Sequence, residues 1–231
     1  MSELDKILVV VAHPDDEILG AGGLFSHFKD SCDVRIVFLA EGSSARFSDR
    51  KRSSKEIAAA IREREQSALE AAGLFNIKSL FFNQLVCGSL NSIPLIDINH
   101  LVQHHIETFK PTKIFTHYQF DNHEDHRIVF RSVMSVARPL ANSSVKDVYS
   151  IEIPSSTNFT SDPIFSPNVF LEITENDLSN KIKALECYKS EIRPYPFPRS
   201  REALIATAKF RGMQIGKHFA EAYQIVRGEL R

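Results

Sequence analysis

The sequence predicts an α/β protein in which helices cover both faces of a mainly parallel sheet, a three-layer α/β/α sandwich. Two observations lead to this class. First, Lys6–Ala12 (KILVVVA) and Val34–Ala40 (VRIVFLA) are continuous apolar runs, which is typical of strands buried on both faces. Second, a helix-like segment over Glu17–Lys29 separates these runs, and strand-like and helix-like segments go on alternating after them.

The other elements are predicted from their caps and periodicity. The helix at Ser53–Ala72 has serines to cap its start and Gly73 after its end. Pro94 stands at the first turn of a helix that runs to about Phe109. Further strands are predicted at Ser79–Phe82, Lys113–Thr116, Val145–Ile153 and Val169–Ile173, and further helices at His126–Arg138, Asp177–Glu191 and Ser200–Gly212. The segment Ala220–Val226 closes the sheet or lies over it.

Length and charge restrict the class of protein further. The 231 residues fit a single domain over 1–231, with 25% charged residues and a formal net charge of −1. This balance argues against a nucleic-acid binder, because phosphate neutralisation needs a basic surplus. It equally argues against a polybasic membrane-surface protein.

Three cysteines, Cys32, Cys87 and Cys187, form neither a CxxC pair nor a disulfide framework. The apolar run Ile7–Ala12 is too short for a signal peptide or a membrane span. We therefore expect a cytoplasmic protein with no membrane partner. The sequence does not fix the oligomeric state, and a homo-oligomer is compatible with it.

Two predicted strands are followed by residues that carry chemistry. His13, Asp15 and Asp16 come directly after the first strand, whereas His123 and His126 follow the fourth. Active sites of open α/β sheets lie at the carboxyl ends of strands, so these side chains are expected to meet. His13 and Asp16 are three residues apart on a turn, and His126 or His123 can supply a third ligand.

Two histidines, one carboxylate and an open position make a catalytic metal site. Zinc suits nitrogen and oxygen ligands, although the same trio also describes the facial triad of iron oxygenases. Either motif alone has a simpler interpretation, since Asp15 or Asp16 could cap the next helix. Both motifs together favour a cation, because so many imidazoles and carboxylates need one to offset their charges.

The two motifs resemble those of a known enzyme family. Residues 10–23 (VVAHPDDEILGAGG) resemble the AHPDDE signature of the PIG-L/LmbE-like de-N-acetylases, and residues 117–127 (HYQFDNHEDHR) resemble the family's HxxxDxHxDHR motif. Looser similarities follow at Arg62–Gly73, at Lys183–Glu191, where Glu191 replaces the usual Gln, and at Ala220–Arg227.

The resemblance implies a Rossmann-like fold and a zinc-dependent hydrolase that removes acetyl from an N-acetylglucosamine unit or cuts a related amide. It assigns the metal ligands to His13, Asp16 and His126, with one zinc ion per chain. It assigns the general base to Asp15. His123 would stabilise or protonate the tetrahedral intermediate, with Asp125 as its orienting partner.

Substrate contacts are predicted at two arginines. Arg62 matches the family's helix arginine, and Arg46 follows the second strand; either could contact a sugar or a phosphate. No dinucleotide cofactor is expected, because Phe25 stands where GxGxxG needs its third glycine, and we interpret Gly20, Gly22 and Gly23 as close helix packing.

The function expected from the sequence is removal of an N-acetyl group from an N-acetylglucosamine-type sugar or sugar conjugate. The second interpretation is an amidase that acts on a thiol conjugate or a larger acyl group with the same fold. A facial-triad iron oxygenase and a non-catalytic nucleotide-binding module are the alternatives from other classes.

Overall fold

The computed structural model of the chain describes residues 5–47, 55–141, 143–160 and 163–229. The strands are β1 (Asp5–Val11), β2 (Cys32–Ala40), β3 (Ser79–Leu85), β4 (Lys113–Thr116), β5 (Asp147–Ile151), β6 (Val169–Glu172) and β7 (Ala220–Arg227). The helices are α1 (Asp16–His27), α2 (Lys55–Gly73), α3 (Leu95–Phe109), α4 (Glu124–Val136), α5 (Glu175–Glu186) and α6 (Arg201–Met213).

The strands form one sheet in the order β3-β2-β1-β4-β5-β7-β6. The first five strands along the chain pair in parallel, whereas β7 pairs antiparallel with both β5 and β6. Strand β1 is central and its residues Ile7–Val11 are buried. A mainly parallel sheet places the carboxyl ends of β1, β2 and β4 at one edge, where a site can form.

Two hydrophobic clusters fill the space on the two faces of the sheet, as a three-layer architecture requires. Alternate residues of β1 serve both: Ile7, Val9 and Val11 belong to one cluster, and Leu8 and Val10 to the other. The first cluster includes residues of α1, α2, α5 and α6, and the second includes residues of α3 and α4.

The predicted fold class is confirmed, and most elements lie within a few residues of their predicted ends. The segment from Ala220 enters the sheet as β7, between β5 and β6. The predicted helix Asp177–Glu191 instead starts at Glu175, where Thr174 forms a capping box with Asp177, and ends at Glu186. The predicted start of a helix at Ser53 lies outside the described residues.

The glycines after β1 have the packing role that the sequence suggested. A Cβ atom on Gly20 would lie 2.5 Å from Ile151 Cδ1, so α1 approaches β5 too closely for a larger residue. Among the described residues, no helix combines the length and apolarity needed to cross a bilayer.

Candidate metal and active site

The two strand-end motifs meet at one edge of the sheet because β1 and β4 are parallel neighbours. Val10 lies beside Thr116 in the register, so the chain leaves both strands at the same level. His13 follows β1 after one residue, and His117 follows β4 directly. His13, Asp16 and His126 are all buried there.

The turn after β1 has a backbone that its own side chains stabilise. Asp15 has a φ angle of 125°, in the region that non-glycine residues rarely adopt. Asp16 Oδ2 accepts a hydrogen bond from the His13 amide at 2.9 Å, and Glu17 Oε2 accepts one from the Asp15 amide at 2.9 Å. The Tyr188 hydroxyl donates to Glu17 at 2.5 Å. These bonds fix the backbone of the turn and the Asp16 carboxylate, whereas the Asp15 carboxylate contacts Arg64 and Arg199.

Three side chains converge as a metal-binding group would. Asp16 Oδ2 lies 3.3 Å from His13 Nδ1 and 3.3 Å from His126 Nε2. The ligand atoms of His13, Asp16 and His126 all fall within 4.8 Å of one another. Nitrogen and oxygen donors of this kind suit zinc, and three protein ligands leave a position for water or substrate.

Each of the two histidines has a carboxylate on its other nitrogen. His13 Nε2 lies 3.0 Å from Asp125 Oδ2, and His126 Nδ1 lies 3.1 Å from Asp121 Oδ1. A carboxylate at this position holds the proton on the outer nitrogen and leaves the inner nitrogen free to bind a cation. The arrangement therefore fits the donor set expected for a zinc site.

The two carboxylates are themselves anchored. Asp125 accepts hydrogen bonds from the amides of Gly88 and Leu90, at 2.7 and 3.1 Å. Asp121 accepts from the Thr157 hydroxyl at 2.6 Å and from the Ser156 hydroxyl at 3.1 Å. Loops after β3 and β5 therefore fix the orientation of both imidazoles.

The electrostatics of the pocket favour positive charge. Burial opposes the charged form of His126, yet Asp16 and Asp121 outweigh it and raise the pKa of His126 to about 9. Burial likewise opposes ionisation of Asp121, but its bonds to His126 and Thr157 lower the pKa of that carboxyl to about 2. A pocket that stabilises an imidazolium without a metal also provides the negative potential that a divalent cation needs.

A second group of possible ligands shares His13. His13, Cys87 and Asp125 also have ligand atoms within 4.8 Å of one another. Asp125 already accepts two amide hydrogen bonds and contacts His13 Nε2. We therefore interpret this second group as the support that orients His13.

His123 caps α4 beside the two histidines of the pocket. Its ring centroid lies 4.9 Å from that of His13 and 4.6 Å from that of His126. Nδ1 of His123 accepts a hydrogen bond from the Asp125 amide at 3.2 Å. Burial and the charge of His126 lower the pKa of His123 to about 4.

The pairing of Asp125 with His123 runs through the backbone amide of Asp125 and not through its carboxylate. The Asp125 carboxylate contacts His13, while its backbone amide contacts His123. The amide donates to Nδ1 and burial disfavours the charged ring, so this contact favours a neutral His123. A neutral His123 with this hydrogen bond carries its proton on Nε2.

Asp15 lies in a group of charged side chains that we call the arginine cluster: Asp15, Arg46, Arg64, Glu191 and Arg199. Arg64 Nη2 lies 3.1 Å from Asp15 Oδ1, and Arg199 Nη1 lies 2.6 Å from Asp15 Oδ2. Glu191 accepts hydrogen bonds from all three arginines. Burial raises the pKa of Asp15, while Arg64 and Arg199 oppose that rise.

The structure includes Arg46 in this cluster but excludes Arg62. Arg62 is exposed on α2, whereas Arg64 is buried and also donates to the Pro14 carbonyl at 2.8 Å. Arg62 lies outside the cluster because residues two positions apart on a helix point in directions about 200° apart, and a substrate contact at Arg62 stays a prediction. Burial on the face toward the sheet distinguishes Arg64.

Sequence reasoning also missed residues that support the site. Asp121 lies inside the second motif but received no role. Arg199 ends the proline-rich segment 193–199 (RPYPFPR), which received no role either, and its partner Asp15 lies 184 positions away. His117 stacks on His126 with ring centroids 3.7 Å apart, and its Nε2 accepts a hydrogen bond from the Ala12 amide.

The loop after β2 closes one side of the pocket. Glu41 accepts hydrogen bonds from the amides of Ser43, Ser44 and Cys87. Gly42 has a φ angle of 76°, and a Cβ atom there would lie 2.7 Å from Arg64 Nε. A glycine at this position lets Arg64 lie against the turn after β1.

The model of the PIG-L family, described as GlcNAc-PI de-N-acetylase, matches residues 8–137, and the chain belongs to this family. The matched region contains both strand-end motifs. Arg199 and Glu191 of the arginine cluster lie beyond it.

Solved structures with this fold cover nearly the whole chain at low identity. The N,N'-diacetylchitobiose deacetylase from Pyrococcus horikoshii has a TM-score of 0.76 and 21% identity, over 98% of this chain and 85% of that one. A zinc-inhibited form of teicoplanin deacetylase Orf2 has a TM-score of 0.74 and 15% identity, over 98% of this chain and 100% of that one. The 4-carboxy-2-hydroxymuconate hydratase GalB from Pseudomonas putida KT2440 has a TM-score of 0.77 and 20% identity, over 99% of this chain and 98% of that one. The fold therefore occurs in deacetylases and in a hydratase.

Proposed function

We propose that this protein is a zinc-dependent N-deacetylase that removes acetyl from an N-acetylglucosamine-type sugar or sugar conjugate. Membership of the PIG-L family supports the reaction class. The deacetylases of similar fold support an N-acetylated sugar as substrate. His13, Asp16 and His126 are the proposed ligands of one zinc ion per chain.

One observation carries the proposal. His13 Nδ1 and His126 Nε2 both lie 3.3 Å from Asp16 Oδ2, while their other nitrogens contact Asp125 and Asp121. A buried helix-capping motif does not need two imidazoles oriented from behind in this way. Metal-binding histidines usually have a carboxylate or another acceptor on their second ring nitrogen.

The proposed chemistry is hydrolysis of an amide. The amide carbonyl is a poor electrophile, and the amine is a poor leaving group. A bound zinc ion would lower the pKa of a water molecule and polarise the amide carbonyl. Asp15 is the proposed acceptor of the proton from the attacking water. Arg64 keeps the Asp15 carboxylate in place through Oδ1.

His123 is the proposed donor in the later step. Its Nδ1 accepts from the Asp125 amide, so a neutral ring carries its proton on Nε2, beside the rings of His13 and His126. That N–H can stabilise the developing oxyanion through a hydrogen bond, and the proton that Asp15 takes from the attacking water can pass to the departing amine. Arg46 is the proposed contact for the rest of the substrate. Arg64, and not Arg62, is the arginine of α2 that lies beside the proposed base.

The test is a panel of N-acetylated sugars and conjugates with acetate and amine release as the readouts. We expect acetate and the free amine in equal amounts, loss of activity with a chelator, and recovery with zinc. Release of a larger acid or cleavage of a thiol conjugate would instead favour the second interpretation, an amidase. Water addition without acetate would favour hydratase chemistry, and oxygen consumption would favour an iron oxygenase.

A further inference from the structure

The arginine cluster contains a buried carboxylate that serves as a shared acceptor. Glu191 is 2% exposed, and it receives Arg46 through two hydrogen bonds of 2.5 and 2.6 Å. Arg64 and Arg199 contact the same carboxylate. Burial opposes ionisation of Glu191, but the arginines outweigh it and lower the pKa of that carboxyl to about 2.

The cluster has one more guanidinium than it has carboxylates. Asp15 and Glu191 are each 2% exposed, whereas Arg46 is 47% exposed and Arg199 is 21% exposed. Arg64 is buried beneath them. The excess positive charge therefore faces solvent beside Asp15, the residue that adjoins the metal ligand Asp16.

The geometry of these arginines suits a planar or tetrahedral oxyanion. Arg46 meets Glu191 in a two-point fork, which is the geometry that carboxylate and phosphate groups share. Arg199 directs Nε to Ser155 and Nη1 to Asp15 and Glu191. Among the described residues, Arg199 Nη2 has no hydrogen-bond partner.

We propose that Arg46 and Arg199 bind an anionic group of the substrate, a phosphate or a carboxylate attached to the N-acetylated sugar. This inference rests on the proposed function, since it names the class of substrate for the same site. The anionic group supplies the negative charge that the cluster lacks, while the N-acetyl group enters the neighbouring metal pocket. The enzyme then discriminates against neutral sugars.

Arg46 is the cleaner residue for a test. Arg199 also contacts Asp15 Oδ2, so its replacement would change the proposed base as well as the anion site. Arg46 contacts Glu191 and makes no contact with Asp15 among the described residues. Arg201 is a matched control, because it is an exposed arginine that faces Glu186 outside the cluster.

The experiment compares kcat/KM for neutral and anionic compounds on wild-type, Arg46→Gln and Arg201→Gln proteins. The neutral compounds are N-acetylglucosamine and N,N'-diacetylchitobiose. The anionic arms are N-acetylglucosamine 1-phosphate and 6-phosphate, UDP-N-acetylglucosamine, and N-acetylmuramic acid, which carries a carboxylate. The arm that is preferred identifies the source of the anionic group.

We expect at least one anionic compound to exceed the neutral ones by about 10- to 100-fold in kcat/KM. Arg46→Gln should remove most of this preference through KM, because the anionic compounds should lose more than the neutral ones, and Arg201→Gln should change neither group. Equal rates for neutral and anionic compounds would overturn the inference. A uniform loss on all compounds in Arg46→Gln would also overturn it, since that result indicates a structural role.

The two proposals fail in different ways. If no compound releases acetate, the deacetylase proposal fails, and calorimetry of the same compounds on wild-type protein decides the anion site. Binding of an anionic compound that Arg46→Gln weakens about 10-fold would support the site without deacetylation. Absence of binding by every anionic compound would overturn it.

Discussion

Two regions of this protein bury a histidine, with opposite electrostatic results. In the metal pocket, burial opposes the charge of His126, but Asp16 and Asp121 raise its pKa to about 9. On α3, burial together with Arg35 and His104 lowers the pKa of His105 to about 4. His105 packs against Phe81 with ring centroids 4.6 Å apart, and its Nδ1 has no hydrogen-bond partner among the described residues.

The difference shows that burial alone does not make a cation site. A buried imidazole without a carboxylate becomes a weaker base, since desolvation disfavours its charged form. The pocket histidines each have a carboxylate behind them and share Asp16 in front. The carboxylates therefore account for the negative potential at this edge of the sheet, which the proposed metal site requires.

The largest effect is expected from His126→Ala. This change removes one of three proposed ligands, so bound zinc and acetate release should both fall to near background. His105→Ala removes a buried histidine of the other region and should keep both. Elemental analysis beside activity checks the pair. Full zinc occupancy in His126→Ala would show that the ligand set is wrong.

The next effect is expected from Asp15→Asn. An amide cannot accept a proton, so kcat should fall by about 10²- to 10⁴-fold while zinc content stays at the wild-type level. Single-turnover kinetics with metal analysis measures both quantities. Because Asn also loses the charge that faces Arg64 and Arg199, a stability measurement should accompany the kinetics. A rate near wild type would assign the base to another residue.

Asp125→Asn and His123→Ala separate support of the metal ligand from stabilisation of the oxyanion. Asp125 contacts His13 Nε2 at 3.0 Å, so its replacement should weaken zinc affinity by about 10- to 100-fold. His123→Ala should keep zinc affinity and lower mainly kcat. Zinc titration by competition with a chelator compares the two. The reverse result would make His123 a zinc ligand, and Asp125 would then be its orienting partner only.

The smallest expected effect is on the pH dependence of the free energy of unfolding, through His105. Its pKa in the folded protein is about 4, below the ordinary value of 6.5, so the unfolded chain binds the proton more tightly. The stability linked to this difference is present above pH 6.5 and is lost as the pH falls through 4.

Wild type should therefore lose on the order of 1–2 kcal/mol more unfolding free energy than His105→Gln between pH 7 and pH 4. Urea unfolding at several pH values measures this. Parallel curves for the two proteins would mean that His105 titrates normally.

Much of the fold could be predicted from the sequence, because its signals are local. Lys6–Ala12 is a nearly continuous apolar run, and this composition alone predicts a strand that is buried on both faces. The convergence of His13, Asp16 and His126, the proposed ligands, was also predictable, since they stand in short motifs at the ends of parallel neighbours. Alternation of strand and helix then brings the two motifs together.

The rest depends on contacts between distant residues. Asp125 is 112 positions from His13, so proximity in the chain favoured its neighbour His123 as a partner. Arg199 reaches Asp15 from a proline-rich segment that looks like a spacer. Arg62 and Arg64 have the same chemistry in the sequence, and only the orientation of α2 determines which of them is buried.

The most direct test of the proposed metal site is an anomalous diffraction measurement on crystals grown with zinc. We expect a single strong peak about 2.0–2.1 Å from His13 Nδ1 and His126 Nε2, with Asp16 at about 2.0–2.2 Å. A peak on the other side of His13, between Nε2, Cys87 and Asp125, would contradict our interpretation that Cys87 and Asp125 only orient His13. Absence of a peak at saturating zinc would contradict the proposal that this strand-end pocket is a metal site.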